Sequence, residues 1–333
     1  MARLKAAPEA PVAFYHCVSR VVDRRFIFGE GERNHFVRLM RAYEAFCGVR
    51  VLTYVVMSNH FHILVEVPRR PDEMPSAETI LQRIQALHGD LHAENVRELL
   101  SRIPPEEASR HLLSYWNRMH DVSWFIRLIK QRFSQWYNGR MDRCGTLWEQ
   151  RFKSVLVEGA GDVLATMAAY IDLNPVRAGI VGDPKDYRWC GYAEAVGGIR
   201  KASDGIRLIM NGLEAGDPSD HLAQYRLWLF GQGDQALGHG GLSQASVQEV
   251  IRRKGSLSLA EYLRCRVRYF VDGAVLGSKP FVDEIFTNQR WRFGPSRRTG
   301  ARRLRWVSKV ELYSLRDLRL NALQGSSCPE SGR

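Results

Sequence analysis

The 333-residue chain is long enough for one sizeable core with additions, and 45% hydrophobic against 25% charged residues is an ordinary globular balance. Its 48 Lys and Arg against 36 Asp and Glu leave a net charge of +12, which favours a polyanionic partner, nucleic acid first among them. No apolar run approaches the ~18 residues of a membrane span, MARLKAAPEAPVAFYH has no continuous apolar signal core, and six scattered cysteines without a CxxC pair exclude a zinc ribbon or disulfide framework and fit a reducing cytoplasm.

In chain order, AFYHCVSR (Ala13 to Arg20) alternates as a strand and meets the basic turn VVDRRFIF. Phe36, Leu39, Met40, Tyr43 and Phe46 repeat at helical spacing, predicting a helix over 32–46 that Cys47-Gly48 ends. VLTYVV and HFHILVEV, separated by MSN, read as a hairpin. Residues 69–120, polar and broken by Pro71, Pro75, Pro104 and Pro105, read as a helical insertion. An amphipathic helix is predicted over 122–137, then the basic loop GRMDRCG, a strand in LWEQRFKSVLVE, and a helix over 162–173 that stops before Asn174-Pro175. This order of strand, helix, strand, strand, helix, strand, helix predicts an α+β fold: a ferredoxin-like split βαβ sandwich with an antiparallel central sheet. The expected division is a tail over 1–12, a main domain over 13–200, and a mainly helical, basic C-terminal extension over 201–333. That extension includes LSQASVQEVIRRK, SLAEYLRCRVRYF and the arginine-rich RWRFGPSRRTGARRLRW.

MSNHFHILVEVP carries the chemistry. On an extended chain His60, His62, Leu64 and Glu66 point one way and Phe61, Ile63, Val65 and Val67 the other, so two imidazoles share one surface. Neutral imidazole is a common ligand for transition ions, and such a pair suits one divalent ion; two polar residues on an exposed strand face is the plainer reading. In ATMAAYIDLNPVRAG, Tyr170 and Asn174 stand one helical turn apart on one face. Packed over the histidine strand, they would add a phenol and a carboxamide oxygen; on spacing alone a core aromatic for Tyr170 and a helix stop for Asn174 are the readings that win.

Taken together, FYHCVSR, MSNHFHILVE, LWEQRFKS and YIDLNPVRAGIV, in that order, resemble the single-tyrosine HUH nucleases of the IS200 transposase type, with the REP-associated tyrosine transposases the nearest branch. The resemblance spans residues 13–197. It departs at Gly191 in RWCGYAEAVG, where a serine is usual. The resemblance implies Tyr170 as nucleophile, His60, His62 and Asn174 as metal ligands, and Mg²⁺ or Mn²⁺ as the ion. It further implies a 5′-phosphotyrosine intermediate that allows strand transfer, single-stranded or hairpin-forming DNA as substrate, a cytoplasmic, nucleoid-associated location, and a monomer as in the REP-associated branch, with a dimer as in other IS200-type relatives the alternative. A rolling-circle initiator nuclease shares the chemistry, and a catalytically silent nucleic-acid-binding regulator would keep the fold and charge.

Other groups compete. His88 and His92 have a zinc-protease spacing but lack the glutamate of HExxH. His16 reads as a satisfied strand histidine or a DNA contact, and Tyr137 is the second candidate nucleophile, without an asparagine four residues on. Arg20, Arg24, Arg25, Lys130, Arg132, Arg151 and Lys153, interleaved with Trp136, Trp148 and Phe152, suit a groove that tracks a DNA backbone, although each alone reads as a solvated charge.

Overall fold

The computed structural model describes residues 4–7, 9–211, 221–230, 270–271, 273–304 and 311–316. LSQASVQEVIRRK, most of SLAEYLRCRVRYF and Arg305 lie outside the described residues. Strand β1 (Val12–Arg20) leads to helix α1 (Glu30–Cys47), which ends on Gly48 at φ 64°, a left-handed cap that a glycine adopts without strain. The hairpin β2 (Arg50–Val56) and β3 (His60–Pro68) follows. The insertion is indeed helical: α2 (Ala77–His88), α3 (Asp90–Arg102) and α4 (Pro105–Trp116). Helix α5 (Val122–Arg140) starts where the Asp121 carboxylate accepts from the Ser123 and Trp124 amides.

Strand β4 covers only Lys153–Val157, shorter than LWEQRFKSVLVE suggested: Leu147 and Trp148 turn into the core and meet the chain just after β1 through an isolated bridge from Trp148 to Val21. Then come α6 (Gly161–Asp172), α7 (Asn174–Arg177), α8 (Gly191–Val196), α9 (Arg200–Met210) and α10 (His221–Phe230). Strand β5 (Gly273–Gly277), α11 (Lys279–Asn288), β6 (Arg302–Arg303) and β7 (Tyr313–Arg316) complete the described elements.

Among the described residues the strands form one seven-stranded sheet in the order β2-β3-β1-β4-β5-β7-β6, giving a mixed α/β protein. β3 lies between β2 and β1 and runs antiparallel to both, and β4 is antiparallel to β1. β5 joins β4 in parallel, so the sheet is not wholly antiparallel, and the described strands β5, β7 and β6 from beyond residue 200 extend it. Helices α1 and α5 cover one face over Phe36, Phe61, Ile63, Phe125 and Phe133. The opposite face, with Val55, Leu64 and Val155, is covered by α6, α9 and α10. Phe61 and Leu64, on opposite faces, are both fully buried, which fixes the register of β3 and turns His60 and His62 toward the α6 side. Among the described residues no helix is long and apolar enough to cross a membrane.

Gly191 lies where α8 meets β2. A Cβ there would stand 2.3 Å from Thr53 Oγ1 and 2.8 Å from Thr53 Cα, so a serine does not fit without moving backbone. A glycine at this position therefore has a steric reason.

Candidate active site

Three imidazoles, one phenol and one guanidinium meet on the α6 face. His62 lies opposite Val18, and His60 opposite Arg20, in the β1–β3 register. His16, two residues back along β1, stacks on His62 with ring centroids 5.1 Å apart and an interplanar angle of 10°. Tyr170 of α6 meets His16 and His62 edge-on, with centroids 5.9 and 5.8 Å away. Arg177, from α7, lies over the Tyr170 ring at 4.2 Å and shares a hydrogen bond with the phenol. Tyr170 is 1% exposed, and Phe270 stacks on it at 4.7 Å and 11°. The phenol is thus enclosed, but by histidine and arginine as well as by carbon.

Two hydrogen-bond chains fix how the histidines present their nitrogens. The Arg24 carbonyl accepts from Asn59 Nδ2 at 3.0 Å, which turns Asn59 Oδ1 toward His60 Nδ1, 2.7 Å away. An amide oxygen only accepts, so His60 carries its proton on Nδ1 and leaves Nε2 as a lone pair. The Phe270 carbonyl likewise accepts from His16 Nδ1 at 2.9 Å, so neutral His16 accepts at Nε2 from His62 Nδ1, 2.8 Å away. His62 also keeps an Nε2 lone pair. Arg24 and its neighbour Asp23 hold φ of 54° and 55°, an unusual conformation for residues with side chains, at the turn that sets the first carbonyl.

Burial lowers His16 and His60 to about 4 and His62 well below its ordinary range; Arg177 contributes at all three and Arg20 at His60 and His62. All three are neutral at pH 7, the form that binds metal. The donor chemistry of His60 and His62 therefore fits a divalent ion. Among the described residues no group of three or more His, Cys, Asp or Glu side chains is arranged as a metal cage, since His16 spends its nitrogens on Phe270 and His62.

Asn174, expected as a third ligand, is differently engaged. Its amide nitrogen donates to the Tyr170 and Ile171 carbonyls at 3.0 and 3.1 Å, and its Oδ1 accepts from Arg177 at 2.7 Å. It holds the guanidinium against the phenol. Burial lowers the Arg177 pKa, and the Tyr170 hydrogen bond opposes that shift. Asp172, two residues after Tyr170, anchors α6: Thr53 Oγ1 and the Tyr225 hydroxyl donate to its two oxygens at 2.7 and 2.6 Å.

Of the expected DNA contacts, Arg20 shares a row with His60, and Lys153 shares the row of Val18 and His62, so both flank the pair on its own face. Arg24, Arg25 and Arg151 are exposed in turns beside that end of the sheet. Lys130 is corrected: it is buried, its ammonium donating to the Gln150 carbonyl at 2.9 Å beside Trp148. Arg132, though exposed, hydrogen-bonds Tyr43 on the α1 side, opposite the histidine face. Tyr137 packs on Phe133 in that same opposite core, away from the histidines. His88 and His92 stay exposed at the insertion surface, ring centroids 4.7 Å apart.

Sequence reading singled out His16 on the first strand without joining it to His62, and missed Arg177 and Phe270 as members of the site. Arg177 had a signal, three residues after Asn174 and one helical turn on; Phe270 had none.

Against known proteins, residues 11–80 match the family model described as "Transposase IS200 like". The match covers β1 through β3, with His16, His60 and His62, and ends before Tyr170. No curated protein matches the chain. A solved structure described as a REP-associated tyrosine transposase bound to a REP hairpin is similar at 15% identity and a TM-score of 0.38, over 72% of this chain and 100% of that one.

Proposed function

We propose that the protein is a transposase-type enzyme that nicks and rejoins single-stranded DNA through a 5′-phosphotyrosine at Tyr170. The observation that carries the reading is the edge-on contact of Tyr170 with His62, below 6 Å, on a strand inside the IS200-like segment. In this reading the β2-β3-β1-β4 portion is the ferredoxin-like HUH core, and Tyr170 serves the histidines of its own chain as a monomer. His60 and His62 would hold Mg²⁺ or Mn²⁺, which when bound draws charge from the phosphate.

The chain's own residues supply the rest. A phenol of ordinary pKa near ~10 is a weak nucleophile at neutral pH. The Arg177 guanidinium, held by Asn174, stabilises the oxygen as it loses its proton. Tyr170 attacks phosphorus, the bond to the 3′ oxygen breaks, and that oxygen leaves as a hydroxyl. The covalent link conserves the ester, so another 3′ end can reverse the step. Arg20 and Lys153 would guide the strand to this end of the sheet. The substrate class is single-stranded DNA with a hairpin-forming repeat.

The burial of Tyr170 favours one second reading, a silent DNA-binding regulator. Incubation of the full chain with labelled hairpin-bearing single strands and Mn²⁺, followed by denaturing electrophoresis, separates the two. A covalent adduct that disappears in Tyr170→Phe supports the enzyme. Tight binding without an adduct on any such strand refutes it.

A further inference from the structure

We propose that His16 is the positioning residue of the histidine pair: anchored on the Phe270 carbonyl, it holds His62 as the Nδ1–H tautomer and so keeps His62 Nε2 open for a divalent ion. The inference rests on the ion site of the proposed function and extends it to a residue outside the paired motif and to the C-terminal third.

The direction of the chain follows from its fixed end. A backbone carbonyl can only accept, so His16 Nδ1 donates to Phe270 O. The other His16 nitrogen faces His62 Nδ1 at 2.8 Å. A protonated Nε2 would make His16 an imidazolium that is 0% exposed, with a carbonyl and an imidazole as its hydrogen-bond partners and no carboxylate among them. Neutral His16 must accept, and His62 must donate from Nδ1. The near-parallel stack at 5.1 Å and 10° fixes the ring plane as well. His60 reaches the same state by a separate route through Asn59 and the Arg24 carbonyl, so both imidazoles are set by backbone carbonyls distant from them in sequence. Outer hydrogen bonds of this kind orient ligating imidazoles and raise their basicity, and losing one costs roughly 10- to 100-fold in metal affinity.

A buried histidine that merely fills space is the competing account, and the two separate on readouts other than strand cleavage. The full chain is labelled with ¹⁵N-histidine, and the His62 tautomer is read by long-range NMR correlations without metal. Mn²⁺ affinity is measured by EPR titration for wild type, His16→Gln and His16→Leu. Gln keeps an acceptor for His62; Leu keeps the bulk and removes the acceptor. The expected results are an Nδ1–H His62 in the wild type, Mn²⁺ binding weakened at least ~10-fold in His16→Leu, and affinity within ~3-fold of wild type in His16→Gln. Unchanged Mn²⁺ affinity in a folded His16→Leu protein overturns the proposal. So does a wild-type His62 protonated on Nε2, a measurement that stands even if the Leu variant fails to fold. A wild type that binds Mn²⁺ in this His16-dependent way yet forms no DNA adduct supports this inference and refutes the proposed function.

Discussion

Acid should destabilise the metal-free protein, and removing one buried carboxyl should make the loss larger. His16 and His60 are lowered by burial from 6.5 to about 4, so as pH falls the unfolded chain takes up protons first. Their contribution to stability is present above 6.5 and is lost as pH falls toward 4. Between pH 7.5 and 5.0 each loses about 2 kcal/mol by linkage, with His62 acting in the same direction. Asp172 opposes them. Burial raises it from 3.8 to about 7, outweighing its bonds to Thr53 and Tyr225, so here the folded chain takes up the proton first. Its stabilising contribution is present below 3.8 and is lost as pH rises through 7, a gain of about 2.5 kcal/mol on going from pH 7.5 to 5.0. For these three groups the wild type loses about 1.5 kcal/mol over that interval, and Asp172→Asn loses about 4 kcal/mol. Urea unfolding in EDTA at the two pH values, for both proteins, measures the difference with exposed groups cancelling. Equal acid losses in wild type and variant would refute the assignment of Asp172 as a carboxyl that is half protonated near neutrality.

Three other perturbations test separate parts of the structure. Gly191→Ser should destabilise by about 2 kcal/mol in urea unfolding, since its Cβ meets Thr53 backbone as well as side chain, and a variant of wild-type stability would show that β2 and α8 can part. Arg20→Ala and Lys153→Ala should each reduce the salt dependence of single-strand binding by about 0.7 in log–log slope, whereas Lys130→Met, already turned into the core, should leave the slope unchanged. Arg177→Met should slow formation of the Tyr170 adduct by roughly 10²- to 10³-fold, as loss of a charge-stabilising donor does, while single-strand affinity measured by anisotropy changes far less.

Local patterns were legible where burial on two faces enforced them. Alternation in HFHILVEV placed His60 and His62 on the side of Leu64 because Phe61 and Ile63 had to be buried on the other. The stop at Asn174-Pro175 was equally visible, and the helix does end at Asp172. Lys130 was misread because its residue type suggested a surface. Its position did not, for Ile126, Lys130, Phe133 and Tyr137 form one buried stripe, where the aliphatic stem packs and the ammonium finds the Gln150 carbonyl. His16 was visible as a strand residue of the right parity, yet its meeting with His62 depends on the β1–β3 register, which pairs Val18 with His62 and His16 with Leu64. No periodicity within one segment encodes a diagonal contact between two.

The C-terminal third poses the sharper case. The Phe270 carbonyl bonds to His16 across 254 residues of chain, and its ring stacks on Tyr170. Contacts of such separation form only after the loop between them has closed, so the hydrogen-bond chain that sets His62 is among the last parts of the site the folding chain can complete. β5 explains why the contact is nevertheless held. It pairs with β4 in parallel at Leu156↔Val275 and Val157↔Leu276, five and six residues from Phe270, and Ser278 donates to Glu158 just beyond. The same sheet that carries the histidines therefore also carries the anchor of their orientation. A motif reading that ends near residue 197 contains the candidate site's histidines and phenol and omits one of the two carbonyls that orient the imidazoles.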